Sequence, residues 1–138
     1  IQGQHISEIL AMALKDGNLK IKENGKARVT YHDPCMLGRG LGIFDSPREV
    51  LSFFKDVEFV EMKRNRENAF CCGSKAVGKY FSNCPEGTAE ERINEFKETG
   101  ADLLITACPY CKGIFQKVLG KEKDRVKDLI EFVDERTE

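Results

Sequence analysis

Tryptophan is absent from this chain, histidine occurs twice, and no apolar run approaches the roughly 20 residues that a membrane-spanning helix needs. A direct membrane span is therefore not expected. Charge of one sign is lacking too. The formal net charge is -1, which excludes the basic footprint of a nucleic-acid binder or a membrane-surface protein. Ile1-Gln2-Gly3-Gln4 has neither an initiator methionine nor the layout of a signal peptide, so a module cut from a longer chain is expected. With 138 residues, 41% of them hydrophobic, there is enough chain for one domain with a real core.

What the chain does have is six cysteines, five of them in a regular pattern. Thirty-five residues separate Cys35 from Cys71, and thirty-five separate Cys72 from Cys108, which opens Cys108-Pro109-Tyr110-Cys111. The pattern is C-x35-CC-x35-C-x2-C. Adjacent cysteines rarely bridge each other, because a vicinal disulfide falls outside the usual range of Cα separations. Both sulfurs can instead face an inorganic centre. A small secreted disulfide domain would be shorter and richer in loops, whereas a C-x-x-C among regular helices and strands points to an intracellular metal or redox site.

Taken in order, Ile6, Ile9, Leu10, Ala13 and Leu14 repeat at helical spacing, and Gly17 stands where a left-handed stop would sit. A solvated connection from Lys20 to Lys26 leads to a strand at 27–32, closed by Asp33-Pro34. Gly38, Gly40 and Gly42 read as a loosened loop, where glycine lets backbone approach a bulky group. They are not a phosphate-binding fingerprint: a cysteine precedes them, no helix start follows them directly, and spaced glycines alone are weak evidence. Ser46-Pro47-Arg48-Glu49 reads as a helix start with serine as N-cap, and Val50, Leu51, Phe53 and Phe54 as its buried face.

Residues 57–62 alternate as a second strand, and the basic run from Lys63 to Asn68 reads as a solvated connector to the cysteine pair. A short helical stretch to Phe81 and a break at Asn83-Cys84-Pro85 follow. Thr88-Ala89-Glu90-Glu91 reads as a capping box opening a helix that ends at Gly100. Residues 102–107 are an apolar run typical of a buried parallel strand. Pro109 fits the first turn of the next helix, and Val126, Leu129, Ile130 and Val133 read as a terminal one.

Strands alternating with helices predict an α/β fold: a three-layer sandwich with a mainly parallel sheet, built from right-handed crossovers. Ligands in such sheets collect beyond the carboxyl ends of the strands. Each cysteine group is read as following a strand directly, so all three should gather at those ends.

His32-Asp33-Pro34-Cys35, Cys71-Cys72-Gly73 and Thr106-Ala107-Cys108-Pro109-Tyr110-Cys111, at these intervals, resemble the cysteine-rich CCG domain of heterodisulfide reductase catalytic subunits and related Fe–S oxidoreductases. Relatives of that kind include iron–sulfur subunits of glycolate, lactate and glycerol-3-phosphate oxidoreductases, and a type of succinate:quinone reductase. The resemblance runs from about Val29 to the C-terminus. It implies an iron–sulfur cluster, [4Fe-4S] and of an unusual noncubane kind, held by Cys35, Cys71, Cys72, Cys108 and Cys111, at which a disulfide is cleaved in one-electron steps. Family members usually carry two CCG copies and often a ferredoxin-like domain. This chain has one copy and no ferredoxin cysteines, so it resembles a C-terminal module of a larger oxidoreductase. The implied partners are Fe–S or quinone-linked subunits and a thiol or disulfide small molecule, and the implied place is the cytoplasm, or a membrane reached through partner subunits. In this sequence Ser74-Lys75-Ala76-Val77-Gly78 replaces most of the glycines that follow CCG in many relatives, and Met36 stands where many have histidine.

The residues themselves leave three chemistries open. Clusters are held by thiolates. Structural zinc or a simple cubane takes four ligands and would leave the fifth thiol surplus, either one serving as the staple of an interaction domain of a 2-hydroxyacid or succinate:quinone oxidoreductase. A metal-free thiol–disulfide site is the third. A helix N-terminus after Cys108 should lower its thiol pKa. Cys84, outside the pattern, reads as a small buried hydrophobe. His32 reads as a positioning hydrogen-bonder, Tyr110 as an aromatic lid or core contact, and His5 carries no role on its surface helix.

Overall fold

Strand β1 (Ala27–His32) is the centre of the molecule, pairing in parallel with β2 (Val57–Phe59) on one side and β3 (Leu103–Thr106) on the other. Strand β4 (Val126–Asp128) extends the sheet past β3, giving the order β2-β1-β3-β4. This computed structural model describes residues 3–74 and 87–138. The helical stretch expected before Phe81 and the break at Cys84-Pro85 lie outside the described residues.

Side chains alternate across β1, so Val29 and Tyr31 point to one face while Thr30 and His32 point to the other. The first face is covered by α1 (Ile6–Lys15), α2 (Asp45–Ser52) and α5 (Leu129–Asp134), with Leu14, Val50, Leu51, Phe54, Phe132 and Ile105 in its core. The second is covered by α3 (Thr88–Glu98) and α4 (Pro109–Leu119), which bury Ile93, Phe96, Phe115 and Leu104. These are three layers around a wholly parallel sheet, as the alternation of elements predicts. Gly17 and Gly100 stop α1 and α3 at φ +73 and +68, and Pro109 opens α4.

Four local expectations fail, each for a tertiary reason. Val126 belongs to β4, not to the terminal helix: it pairs with Leu104, and the helix starts only after Asp128. Asp128 and Glu131 form the capping box there, so the helical spacing of Val126 with Leu129 and Val133 is coincidental. Ser46 does not cap α2, which begins at Asp45; its Oγ lies 2.7 Å from Ser7 Oγ and ties α2 to α1. Thr88 is the first residue of α3 rather than its cap, which is Gly87 at φ +83, and Glu91 is drawn off to Arg64. The second strand ends at Phe59, not 62. Val60 N still donates to Val29 O, but Met62 turns into the core of the opposite face.

The glycine-rich loop after Cys35 is a turn of π-helix, Met36–Gly40. The bulky group approached there is the Phe44 ring, which a Cβ on Gly38 would meet at 2.7 Å.

Candidate metal centre

The crossover from β1 to β2 runs over the α2 face, and the crossover from β3 to β4 over the α4 face. Adjacent strands β1 and β3 therefore send their chains to opposite sides, which opens a crevice at their carboxyl ends. Cys35 leaves β1 into that crevice, and Cys108 leaves β3 into it as the N-cap of α4. Cys71 and Cys72 reach it from across the sheet. They do not follow β2 directly, as expected, but come after a long excursion through the 3₁₀ turn Arg66–Asn68.

All five patterned cysteines line one cavity of about 240 Å³. Its remaining wall is largely apolar, with Pro34, Met36, Leu37, Leu41, Ala107 and Pro109, together with His5, Ser74 and Tyr110. Cys72 and Cys111 are buried, the other three half-buried, and all five are thiols rather than disulfides. Tyr110 is 59% exposed at the mouth, so of its two expected roles it takes the lid. His5, assigned no role from sequence, caps α1 and stands at the rim.

The thiols are electrostatically unequal. Cys111 donates towards Cys108 and Cys72, and those bonds with its burial push its own thiol far up. Cys72 is held well below the usual thiol range, first by the bond from Cys111 and then by one from Cys71. Cys108 is brought down to about 6, chiefly by the Cys111 thiol, with burial opposing and the backbone N–H groups of Cys111 and Tyr110 helping. The helix N-terminus thus acts on Cys108 as expected. In the metal-free protein, Cys108 should be mostly thiolate at pH 7, where an ordinary thiol is a few per cent ionised at most. Its alkylation at pH 7 should be roughly tenfold faster than that of an unperturbed thiol and should fall away below pH about 6. Peptide mapping after a short iodoacetamide pulse would check this, and a rate still rising steeply between about pH 7 and 9 would refute it.

Three tethers hold the loops in place. Asp33 accepts from Arg48 Nη1 and Nη2, both at 2.8 Å, and from the backbone N–H of Arg66 at 2.7 Å. One carboxylate thus ties the Cys35 loop to α2 and to the segment leading to Cys71. Arg66 sits at φ +54, a conformation that a non-glycine residue keeps only where its surroundings fix it. Arg64 lies 3.3 Å over the Phe70 ring and donates to Glu91 and Glu95, pinning the cysteine pair to α3. The basic run read as a solvated connector therefore contains two of the tethers. Gly73 is the third, at φ +79 with Ala89 N only 3.1 Å from where a Cβ would be.

Gly73→Ala should cost about 1–3 kcal/mol through left-handed strain and that contact. Gly42→Ala, at φ +70 but in open space, should cost less. Urea midpoints of the two variants decide it, and equal losses would mean that packing at Gly73 adds nothing.

Sequence reading missed Arg92. It is wholly buried on α3, its Nε donating to His32 Nδ1 at 3.0 Å and its Nη1 to Glu95 and to Arg64 O. A signal existed: Ala89, Arg92, Ile93 and Phe96 form the inward stripe of that helix, and an arginine on an apolar stripe needs buried partners. His32 is the hydrogen-bonder expected, though as an acceptor.

No three His, Cys, Asp or Glu side chains among the described residues close on one point as a single metal ion needs. The thiols instead line the wall of a wider space. An all-thiol donor set of five, partly ionised and backed by a helix N-terminus, fits the chemistry by which iron–sulfur clusters are held. Cys84, the sixth cysteine, lies outside the described residues.

The CCG cysteine-rich domain family matches residues 29–116. This chain belongs to that family. The CCG domain is 41% identical over 138 residues to a component of the dihydromethanophenazine:CoB–CoM heterodisulfide reductase of Methanosarcina mazei, covering 95% of the chain and 33% of that relative. It is 36% identical over 133 residues to a component of the fumarate reductase (CoM/CoB) of Methanothermobacter marburgensis, covering 94% of the chain and 26% of the relative. A probable iron-sulfur-binding oxidoreductase of Bacillus subtilis, FadF, is 34% identical over 112 residues, covering 78% of the chain and 15% of the relative. The CCG domain spans a third or less of the length of these relatives. Among its described residues no helix is long and apolar enough to cross a membrane.

Proposed function

We propose that this CCG domain is an iron–sulfur redox module, with Cys35, Cys71, Cys72, Cys108 and Cys111 as the ligands of a [4Fe-4S] cluster of the noncubane kind. It serves disulfide or thiol reduction, or electron transfer, as one module of a larger heterodisulfide reductase-like oxidoreductase. The observation that carries this is the meeting of five thiols, from three distant stretches, in one cavity. The names of the relatives, which include heterodisulfide reductase and iron-sulfur oxidoreductase, support it. Their being components of multisubunit enzymes supports partner subunits, and in this reading those subunits carry the further Fe–S or quinone-linked centres.

When bound, the cluster supplies one-electron redox chemistry. The chain's own residues do the rest. Loading requires deprotonated thiols, so Cys111 gives up the proton that it holds between Cys108 and Cys72, and binding releases protons. The N–H groups at the start of α4 then face a sulfur that stays anionic. Met36, Leu37, Leu41 and Pro109 keep the wall apolar and limit water, and Tyr110 overhangs the mouth through which a thiol or disulfide would enter.

Anaerobic reconstitution tests the reading. A brown protein with stoichiometric iron and acid-labile sulfide is expected. A colourless protein that takes zinc and refuses iron would replace it with a zinc-stapled interaction domain, and a cubane-type spectrum would keep the module but not the noncubane cluster.

A further inference from the structure

Behind the cysteine wall a line of buried polar groups runs from α3 to the end of β1. Glu95 Oε2 accepts from Arg92 Nη1 at 2.6 Å, and Arg92 Nε donates to His32 Nδ1 at 3.0 Å. A guanidinium has donors only. Nδ1 of His32 must therefore carry the lone pair, and its hydrogen sits on Nε2. Phe115 packs edge-on against the ring at 4.8 Å and 87°, which opposes its turning over to exchange them. Burial first, and the Arg92 charge second, keep the ring neutral, with its pKa lowered to about 3. His32 is thus an Nε2–H donor of fixed sense, fully buried, and that donor has no partner among the described residues.

An unsatisfied buried N–H costs about 1–3 kcal/mol, and native interiors rarely keep one without a use. Arg92 Nη2 is likewise without a partner among the described residues. Two stranded donors on a cationic relay call for an anionic acceptor. Cys72 is buried in the same cluster as Phe115, the ring packed on His32, and its charge bears on the imidazole, although no hydrogen bond yet joins Nε2 to its sulfur.

We propose that His32 is a positioning residue of the metal centre: its Nε2–H is the donor to the Cys72 sulfur when that sulfur binds iron, and Glu95 and Arg92 fix the direction of the donor. This rests on reading the cysteines as cluster ligands. A hydrogen bond to a ligand sulfur favours the more negative, reduced state, so it raises the reduction potential. His32 then sets how readily the module accepts an electron without touching substrate.

The test compares the parent with His32→Phe, which keeps the ring and loses the donor, and His32→Gln, which returns an amide N–H. Iron and sulfide per chain are measured alongside the midpoint potential. The expected result is similar loading in all three, a lower potential in His32→Phe, and a return towards the parent in His32→Gln. A parent that takes no iron sinks the cluster reading and this inference with it. A loaded His32→Phe at the parent's potential sinks the inference alone. Should His32→Phe fail to load, nitrogen NMR of the metal-free parent decides. Only two histidines need assignment, and His32 should keep a protonated Nε2 and a bare Nδ1 from about pH 5 to about pH 8. A proton on Nδ1 would overturn the proposal. Arg92→Met should release the second tautomer while leaving the ring in place.

Discussion

Serine at Cys72 should leave the protein with almost no iron or acid-labile sulfide after anaerobic reconstitution, and serine at Cys71 should do the same. The reason is partly chemical. A thiolate forms at the pH of loading, whereas a serine hydroxyl does not ionise there, so the substitution removes a charge as well as a donor. It is also positional: Cys72 is 4% exposed and accepts from Cys111, so an alternative ligand from solvent has no room to replace it. Changes one layer further from a metal typically cost about 10–100-fold in affinity, and loss of a ligand should cost at least roughly that. Cys84→Ser should load normally, because Cys84 alone stands outside the C-x35-CC-x35-C-x2-C spacing. Iron and sulfide per chain measure all three. Equal losses would refute the division of the cysteines into five and one.

The meeting of the five patterned cysteines in one cavity was legible because it depends on counting, and the sheet was legible because it depends on period. Residues 27–32 and 102–107 announce themselves by composition, and β1 and β3 fall where those runs lie. Their adjacency places Cys35 and Cys108 together. What counting could not supply is which short polar motif is used locally and which is borrowed by a neighbour. Ser46 and Thr88 each begin a sequence that fits a helix cap, yet Ser46 serves α1 and Thr88 is packed inside α3. Val126 fits a helical stripe but finds an open ladder edge on β3, and three backbone residues paired there outweigh one more position in a short helix. The tethers were hidden for the same reason. Arg48 and Asp33 are fifteen residues apart, and nothing in either neighbourhood names the other.

That pair carries the second large effect. Arg48→Met should destabilise the fold by about 3–5 kcal/mol, the usual result of stripping one partner from a buried ion pair. Asp33 is 3% exposed and, among the described residues, would keep only the Arg66 backbone N–H as a hydrogen-bond donor. The lost bonds to Glu61 should add little, because that carboxylate is about one-third exposed and water can replace the guanidinium. The double variant Arg48→Met/Asp33→Asn removes the stranded charge, so it should recover much of the loss while still lacking the salt bridge. Its amide oxygen can accept from Arg66 N as the carboxylate did, which keeps the Cys71 segment tied to the end of β1. Urea midpoints of the metal-free proteins give the comparison directly. A single variant within about 1 kcal/mol of the parent would mean that the backbone, rather than Asp33, holds the two cysteine loops together. A double variant no better than the single would point instead to the shape of Arg48, which also lies 5.3 Å over the Tyr31 ring and donates to Phe44 O.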